Sequence, residues 1–166
     1  MSIPLQQLLS SLKPLHSTKT IWDGAQNQWL RFLSAGELGR VTENLAEAIV
    51  AGSKTKNNLV GYDIDCGDKK IEVKAATVST MNGRPILSWK NIRPSDPYTH
   101  IFFVGIYPND VRVFLVPRDH IPSIALKPMS TQGTASHLFQ VYSRKVDNLP
   151  SWLVSFEIAQ PARYKR

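Results

Sequence analysis

The 166-residue chain is 42% hydrophobic and 20% charged, an ordinary globular composition that suffices for one domain with a buried core. Its formal net charge of +7 favours a polyanionic partner, either nucleic acid or an acidic membrane surface. No run of about 18 apolar residues is present to span a bilayer, MSIPLQQLL lacks the basic and apolar regions of a secretion signal, and the lone Cys66 excludes an intramolecular disulfide or a multi-cysteine zinc site. A cytoplasmic protein with no membrane partner is the expectation.

Taken in order, Ile3, Leu5, Leu8, Leu9 and Leu12 recur at helical intervals and Pro14 ends the run, which predicts a short amphipathic helix. A further helical stretch runs from Thr18 through Trp22, Trp29, Leu30 and Leu33 to a break at Ser34-Ala35-Gly36, with the two tryptophans, seven apart, on a core-facing seam. From Glu37 to Ala51 the set Leu38, Val41, Leu45, Ala48 and Ile49 makes an apolar helix stripe. Glu43 falls at its border beside Gly39, Ala46 and Val50, whereas Glu47 points further into solvent. The following run, Ser53 to Asn58, is a polar loop whose Lys54 and Lys56 either touch phosphate or are merely solvated.

Val60 to Ser79 reads as a tight hairpin. Tyr62, Ile64 and Cys66 alternate with Asp63 and Asp65; beyond Gly67-Asp68, Ile71, Val73 and Ala75 alternate with Lys70, Glu72 and Lys74. A two-residue turn with Gly at its first position, as type II′ requires, pairs Cys66 with Lys69 and sets Asp63 across from Glu72. Like charges opposite one another destabilise a ladder, so something positive is expected between them: a divalent cation with oxygen ligands, or simply the hairpin's own lysines. In this register Asp65 faces Lys70.

Ser79 to Tyr98 reads as irregular, with Asn82-Gly83, Pro85, Pro94 and Pro97, and carries Arg84, Trp89, Lys90 and Arg93. It is either a basic loop that grips nucleic acid or a packed connection anchored by Trp89. His100 to Tyr107, the turn Pro108-Asn109-Asp110 and Val111 to Pro117 form a strongly apolar second hairpin that extends the sheet, with Arg112 on its solvent face. Asp119 is placed to cap a short helical turn toward Leu126. Met129 to Ser136, with Gln132-Gly133, is loop-like, Leu138 to Tyr142 is a late strand followed by Arg144-Lys145, and Leu149 to Phe156 brings Trp152 to the core. The tail Arg163 to Arg166 is basic. His16, His100, His120 and His137 have no metal-ligand spacing.

Asp63 followed by Glu72-Val73-Lys74 on adjacent strands, behind a helix with a GxxxE pattern at Gly39 to Glu43, resembles the core of the PD-(D/E)XK nuclease superfamily, which includes restriction endonucleases, repair nucleases and junction resolvases. The resemblance covers about residues 36 to 117; Tyr62 stands where the motif often has Pro. It implies an α/β fold with a restriction-endonuclease-like core, a mixed central β-sheet of αβββαβ type flanked by helices. The single domain then divides into an N-terminal helical region (1–35), a catalytic core (36–117) and a C-terminal extension (118–166).

In function the resemblance implies a metal-dependent DNA endonuclease. Asp63, Glu72 and the Val73 carbonyl would hold Mg²⁺, with Mn²⁺ as a substitute, Lys74 would serve the attacking water, and Glu43 would complete the acidic cluster. Duplex DNA is the expected partner, with Lys54, Lys56, Arg84, Lys90 and Arg93 as contacts. A chain this small needs two copies to cut both strands of a symmetric site, so a type II restriction-like homodimer is expected. A Holliday-junction resolvase or repair nuclease of the same fold is the alternative, as is a non-catalytic nucleic-acid-binding module. Asp65 is the reserve metal ligand if the hairpin register slips by two.

Overall fold

The computed structural model describes residues 20–55, 61–129, 135–142 and 148–158. In chain order its elements are α1 (Ala35–Val50), β1 (Ser53–Lys54), β2 (Ile64–Cys66), β3 (Lys69–Thr77), β4 (Ser79–Met81), β5 (Arg84–Ile92), β6 (His100–Ile106), β7 (Val111–Pro117), β8 (Leu126–Pro128), β9 (His137–Tyr142) and α2 (Ser151–Val154). They form a mixed α/β fold with two sheets, one of order β1-β2-β3-β6-β7 and one of order β4-β5-β9-β8. No helix among these residues is long and apolar enough to cross a membrane.

The first sheet grows from the predicted hairpin. Cys66 pairs with Lys69, Asp65 with Lys70 and Ile64 with Ile71, around a turn in which Gly67 has φ 64°. Ile64 and Ile71 are fully buried, whereas Cys66 is half-buried and its thiol donates to the Val50 carbonyl (3.3 Å). On the other side of β3 the partner is β6, paired in parallel from Ile71↔His100 to Thr77↔Ile106, and β7 follows antiparallel. The run Ile101 to Val104 in β6 is 0% exposed, so it is apolar at successive positions rather than alternating: both of its faces are covered.

A parallel pair needs a long connection. Here that connection, between Thr77 and His100, corrects the expectation of an irregular loop: it contains the hairpin β4–β5. Asn82 (φ 50°) and Gly83 (φ 73°) form its turn, the Asn-Gly dipeptide that a type I′ turn favours because both central residues take positive φ. Pro85, which suggested irregularity, lies at the second residue of β5, where a missing N–H is tolerated. Trp89 is fully buried and belongs to the core rather than to a ligand groove. Its indole N–H donates to the Val104 carbonyl (2.9 Å), and its ring stacks on Phe139 at 5.2 Å and meets the Phe103 edge at 5.4 Å. Leu87, Trp89, Phe139 and Val141 thus join the second sheet to the first in one core cluster.

Helix α1 starts two residues earlier than expected, because Ser34 and Glu37 form a capping box: the Glu37 carboxylate accepts from the Ser34 N–H (2.8 Å), and the Ser34 hydroxyl oxygen accepts from the Glu37 N–H (3.3 Å). It stops at Ala51, in the left-handed region with φ 53°. The stripe itself is turned from its predicted centre. Ala48 is exposed, and Thr42 (3%) and Ala46 (0%) are the buried residues, small side chains that let the helix lie close to the sheet. Glu47 is not free in solvent either: it accepts from the Lys54 backbone N–H (3.2 Å).

Three further expectations are corrected. Trp22 is buried and donates to the Val78 carbonyl (3.2 Å), but Trp29 is 54% exposed; the stretch between them is a turn and a 3-10 helix, Gln28–Phe32, in which a seven-residue spacing defines no shared face. Arg112 is 8% exposed, not a solvent-face residue. Its guanidinium grips the Glu157 carboxylate from two nitrogens, Nε at 2.6 Å, and so ties the chain after α2 to the edge strand β7. Asp119 lies inside a 3-10 turn, Arg118–His120, and pairs with His120 instead of capping. The second apolar hairpin and the late strand appear as β6–β7 and β9, and Trp152 leans on Phe139 at 5.1 Å. The helix predicted at residues 3 to 15, His16, Lys56, Gln132-Gly133, Arg144-Lys145 and the Arg163 to Arg166 tail lie outside the described residues.

Candidate functional site

Strand β2 begins at Ile64, opposite Ile71, whereas β3 runs on to Thr77, and the site occupies the edge this leaves open. At Asp63 the chain bends. The Asp63 backbone N–H donates to the Ile71 carbonyl (2.9 Å), and its carboxylate Oδ2 accepts the Val73 N–H (2.7 Å), so a side chain takes the place of the missing strand. Backbone groups of alternate strand residues share an edge. Since the Ile71 carbonyl and the Val73 N–H both serve Asp63, the Val73 carbonyl faces this same open edge.

Side chains two apart on a strand share a face, and Glu72 and Lys74 illustrate it: Lys74 Nζ lies 2.5 Å from Glu72 Oε1, with both side chains about 15% exposed, 14% for Glu72 and 16% for Lys74. Burial raises the Glu72 carboxyl above the usual carboxylate range. The Lys74 ammonium opposes that rise, and the Asp63 charge adds to it. Desolvation therefore outweighs the ion pair.

Glu43 approaches from α1. Its carboxyl is also raised, first by burial and then by the Asp63 charge, against the pull of Lys54, whose Nζ is 3.7 Å away, and of Lys74. Glu43, Asp63 and Glu72 together line one cavity of about 320 Å³, whose wall is completed by Thr55, Gly61, Tyr62, Arg93 and Asp96. Gly61 is required there: its φ is 76°, and a Cβ would sit 2.7 Å from Pro97 Cδ, so only glycine lets the 93–97 turn close this wall. Among the described residues no three His, Cys, Asp or Glu side chains gather tightly enough to enclose a metal ion. Lys54 and Lys74 each hold one carboxylate instead.

The residues singled out in the sequence separate into groups. Glu43, Asp63, Glu72 and Arg93 share the cavity; Lys74 joins through Glu72, and Val73 through its N–H. Lys54 turns to Glu43 and Asn44. Asp65 stays out of the cavity, paired with Lys70 at 2.5 Å, as the unslipped register requires. Arg84 and Lys90 are exposed on β5, away from it. Sequence reasoning missed Asp96, whose charge bears on Glu72. It sits in Pro94-Ser95-Asp96-Pro97, where an Asp is ordinary turn chemistry, and nothing in that string distinguishes it.

No family profile and no curated protein matches the chain. Among solved structures it is similar to the bacterial homing endonuclease I-Ssp6803I, at 16% identity over 75% of this chain and 86% of that one with a TM-score of 0.46. It is also similar to MepB, at 12% identity over 70% of this chain and 94% of that one with a TM-score of 0.40.

Proposed function

We propose that the chain is a metal-dependent DNA endonuclease. The observation that carries this reading is the meeting of Asp63, Glu72 and Glu43 in one polar cavity, from a strand edge, a strand and a helix, with Lys74 in contact with Glu72. Two carboxylates lifted by burial and by a shared negative neighbour are what a cation would relieve. The donor set suits a hard divalent ion such as Mg²⁺ or Mn²⁺, which takes oxygen ligands and keeps several waters, so one or two carboxylates suffice. Asp63, Glu72 and the Val73 carbonyl would hold it, and Glu43 would reach it through water. Bound there, the metal would neutralise charge on the scissile phosphate and lower the pKa of a bound water.

The rest falls to the side chains. Asp63 keeps one oxygen on the Val73 N–H and has a second to offer. Lys74, in contact with Glu72, would orient or deprotonate the attacking water, or stabilise charge as it develops. Arg93, on the cavity wall, would hold a phosphate oxygen. Two copies would be needed to cut both strands of a symmetric duplex site, as in a type II restriction enzyme.

The test is cleavage of a supercoiled plasmid and of a long linear duplex, with Mg²⁺ and with chelator, by the wild type and by Lys74→Ala. Discrete metal-dependent fragments that the variant does not produce are the expected result. Cutting of four-way junctions or nicked DNA but not of intact duplex would move the assignment to resolution or repair. Inactivity on all of them would sink the catalytic reading.

A further inference from the structure

The thirteen Asp and Glu residues of the chain avoid the second sheet entirely: none lies in β4, β5, β8 or β9, which carry Arg84, Lys90 and Lys127. The cross-strand register shows what its outer face presents. Leu87, Trp89, Phe139 and Val141 point into the core. Alternation therefore turns Ile86, Ser88 and Lys90 of β5 and Gln140 and Tyr142 of β9 outward, with Ile86 across from Tyr142 and buried at 2% exposure, Ser88 across from Gln140 and Lys127 across from Leu138. Arg84, Lys90 and Lys127 are exposed, Tyr142 is 49% exposed, and Ser88 and Gln140 are half-buried.

We propose that this face lies along duplex DNA, with Gln140 and Ser88 toward base edges and Arg84, Lys90 and Lys127 on phosphates. The inference deepens the nuclease reading and rests on it. From Arg84 to Lys90 the chain advances about 20 Å at roughly 3.4 Å per residue, and it then bends through the bulge at Asn91, φ 57°. It ends on the wall of the acidic cavity, where Arg93 lies, so a duplex lying along β5 reaches the chemistry at one end. The Gln140 side-chain amide donates to the Ser88 hydroxyl (3.1 Å), which holds the side chain in place and leaves its carbonyl oxygen and second N–H for a partner, the pair of groups that recognises adenine. A protein partner fits less well: of the exposed large hydrophobic residues only Met81 and Tyr142 lie on this sheet.

The experiment is binding of a fluorescein-labelled random duplex of about 30 base pairs, three helical turns, read by anisotropy across a salt series with chelator present, so that cleavage plays no part. The triple variant Arg84→Ala, Lys90→Ala, Lys127→Ala should lose about 2 to 3 units of the slope of log affinity against log salt, at about 0.9 per phosphate contact. The equally charge-reducing triple variant Arg31→Ala, Arg40→Ala, Lys69→Ala should keep its slope. In selection from a randomised duplex pool, Gln140→Ala should lose about 10- to 100-fold discrimination at one position while its melting temperature stays that of the wild type. Equal slope losses in both triple variants, unchanged selection by Gln140→Ala, or preference for anionic vesicles or a protein over duplex would overturn the assignment. A wild type that binds as expected yet cuts nothing would leave this surface standing and remove the nuclease reading. A wild type that cuts while the three sheet substitutions change nothing would do the reverse.

Discussion

The five-stranded sheet carries Asp65 and Glu72 in its strands and is bordered by Asp63, whereas the four-stranded sheet carries three exposed bases and no acid. Both pack on the same core, through Trp89 and Phe103. What differs is how each manages charge. The first desolvates carboxylates and sets lysines against them, a costly arrangement for stability alone, since the Glu72 carboxyl is raised despite its ion pair. The second keeps its cations in water, where they cost little and act over a distance. Under the proposed function, the chemistry falls to the first layer and the attraction for a polyanion to the second.

The largest effect that would break this division is on catalysis. Lys74→Ala should lower the cleavage rate by about 10²- to 10⁴-fold, the usual span for a group that handles a proton, while duplex binding in chelator stays within twofold; a parallel loss of binding would mean the two layers are not separate. Next comes the joint between them. Trp89→Ala removes a fully buried ring and its bond to Val104, and should cost about 3–5 kcal/mol in chemical denaturation. Both activities should fall together, since each sheet buries its inner face on the other.

Smaller effects sharpen the contrast. Gly83→Ala puts a Cβ at φ 73° and should cost about 1–2 kcal/mol, seen as a lower melting temperature, with the cleavage rate per bound duplex unchanged. Glu43→Gln should stabilise the fold slightly, by less than about 1 kcal/mol given its partial exposure and its Lys54 partner, seen as a small rise in melting temperature. The sign follows from the raised carboxyl. A carboxyl that folding raises stabilises the fold below its unfolded value of about 4.3, and that contribution is lost as pH rises through the folded value. The gap between variant and wild type should thus be open at about pH 8 and close toward about pH 4; a gap that widens in acid would contradict the strain assigned to Glu43.

The acidic hairpin was legible because two local rules agree there. The period of two assigns faces and a two-residue turn fixes register, which gives the ladder as far as Ile64↔Ile71; the bend that takes Asp63 out of the ladder and onto the Val73 N–H was not legible. The second sheet was not legible, although Asn82-Gly83 is a strong hairpin signal, because Pro85 and the prolines at 94 and 97 read as loop, and because the partner of β5 is β9, some fifty residues later. Arg112 looked exposed for the same reason: its partner, Glu157, is 45 residues away. The stripe of α1 missed Thr42 and Ala46 since hydrophobicity ranks Ala48 equally with Ala46, whereas close approach to a sheet selects small side chains by position. In the Trp22 to Trp29 stretch the assumption of a continuous helix failed, and the seam went with it.

The position of the β4–β5 hairpin between two strands paired in parallel has a consequence for how such a protein changes over generations. The segment from Val78 to Thr99 is a detour whose ends, Thr77 and His100, are fixed by neighbours that do not depend on its outward residues. Its buried positions, Leu87 and Trp89 foremost but also Val78, Ile86, Ile92 and Tyr98, are constrained by packing, and Arg93 and Asp96 by the acidic cavity. The exposed ones on the β4–β5 hairpin, Arg84 and Lys90 among them, are free to drift, so its outer surface can change while the hairpin carrying the acids and Lys74 is left untouched.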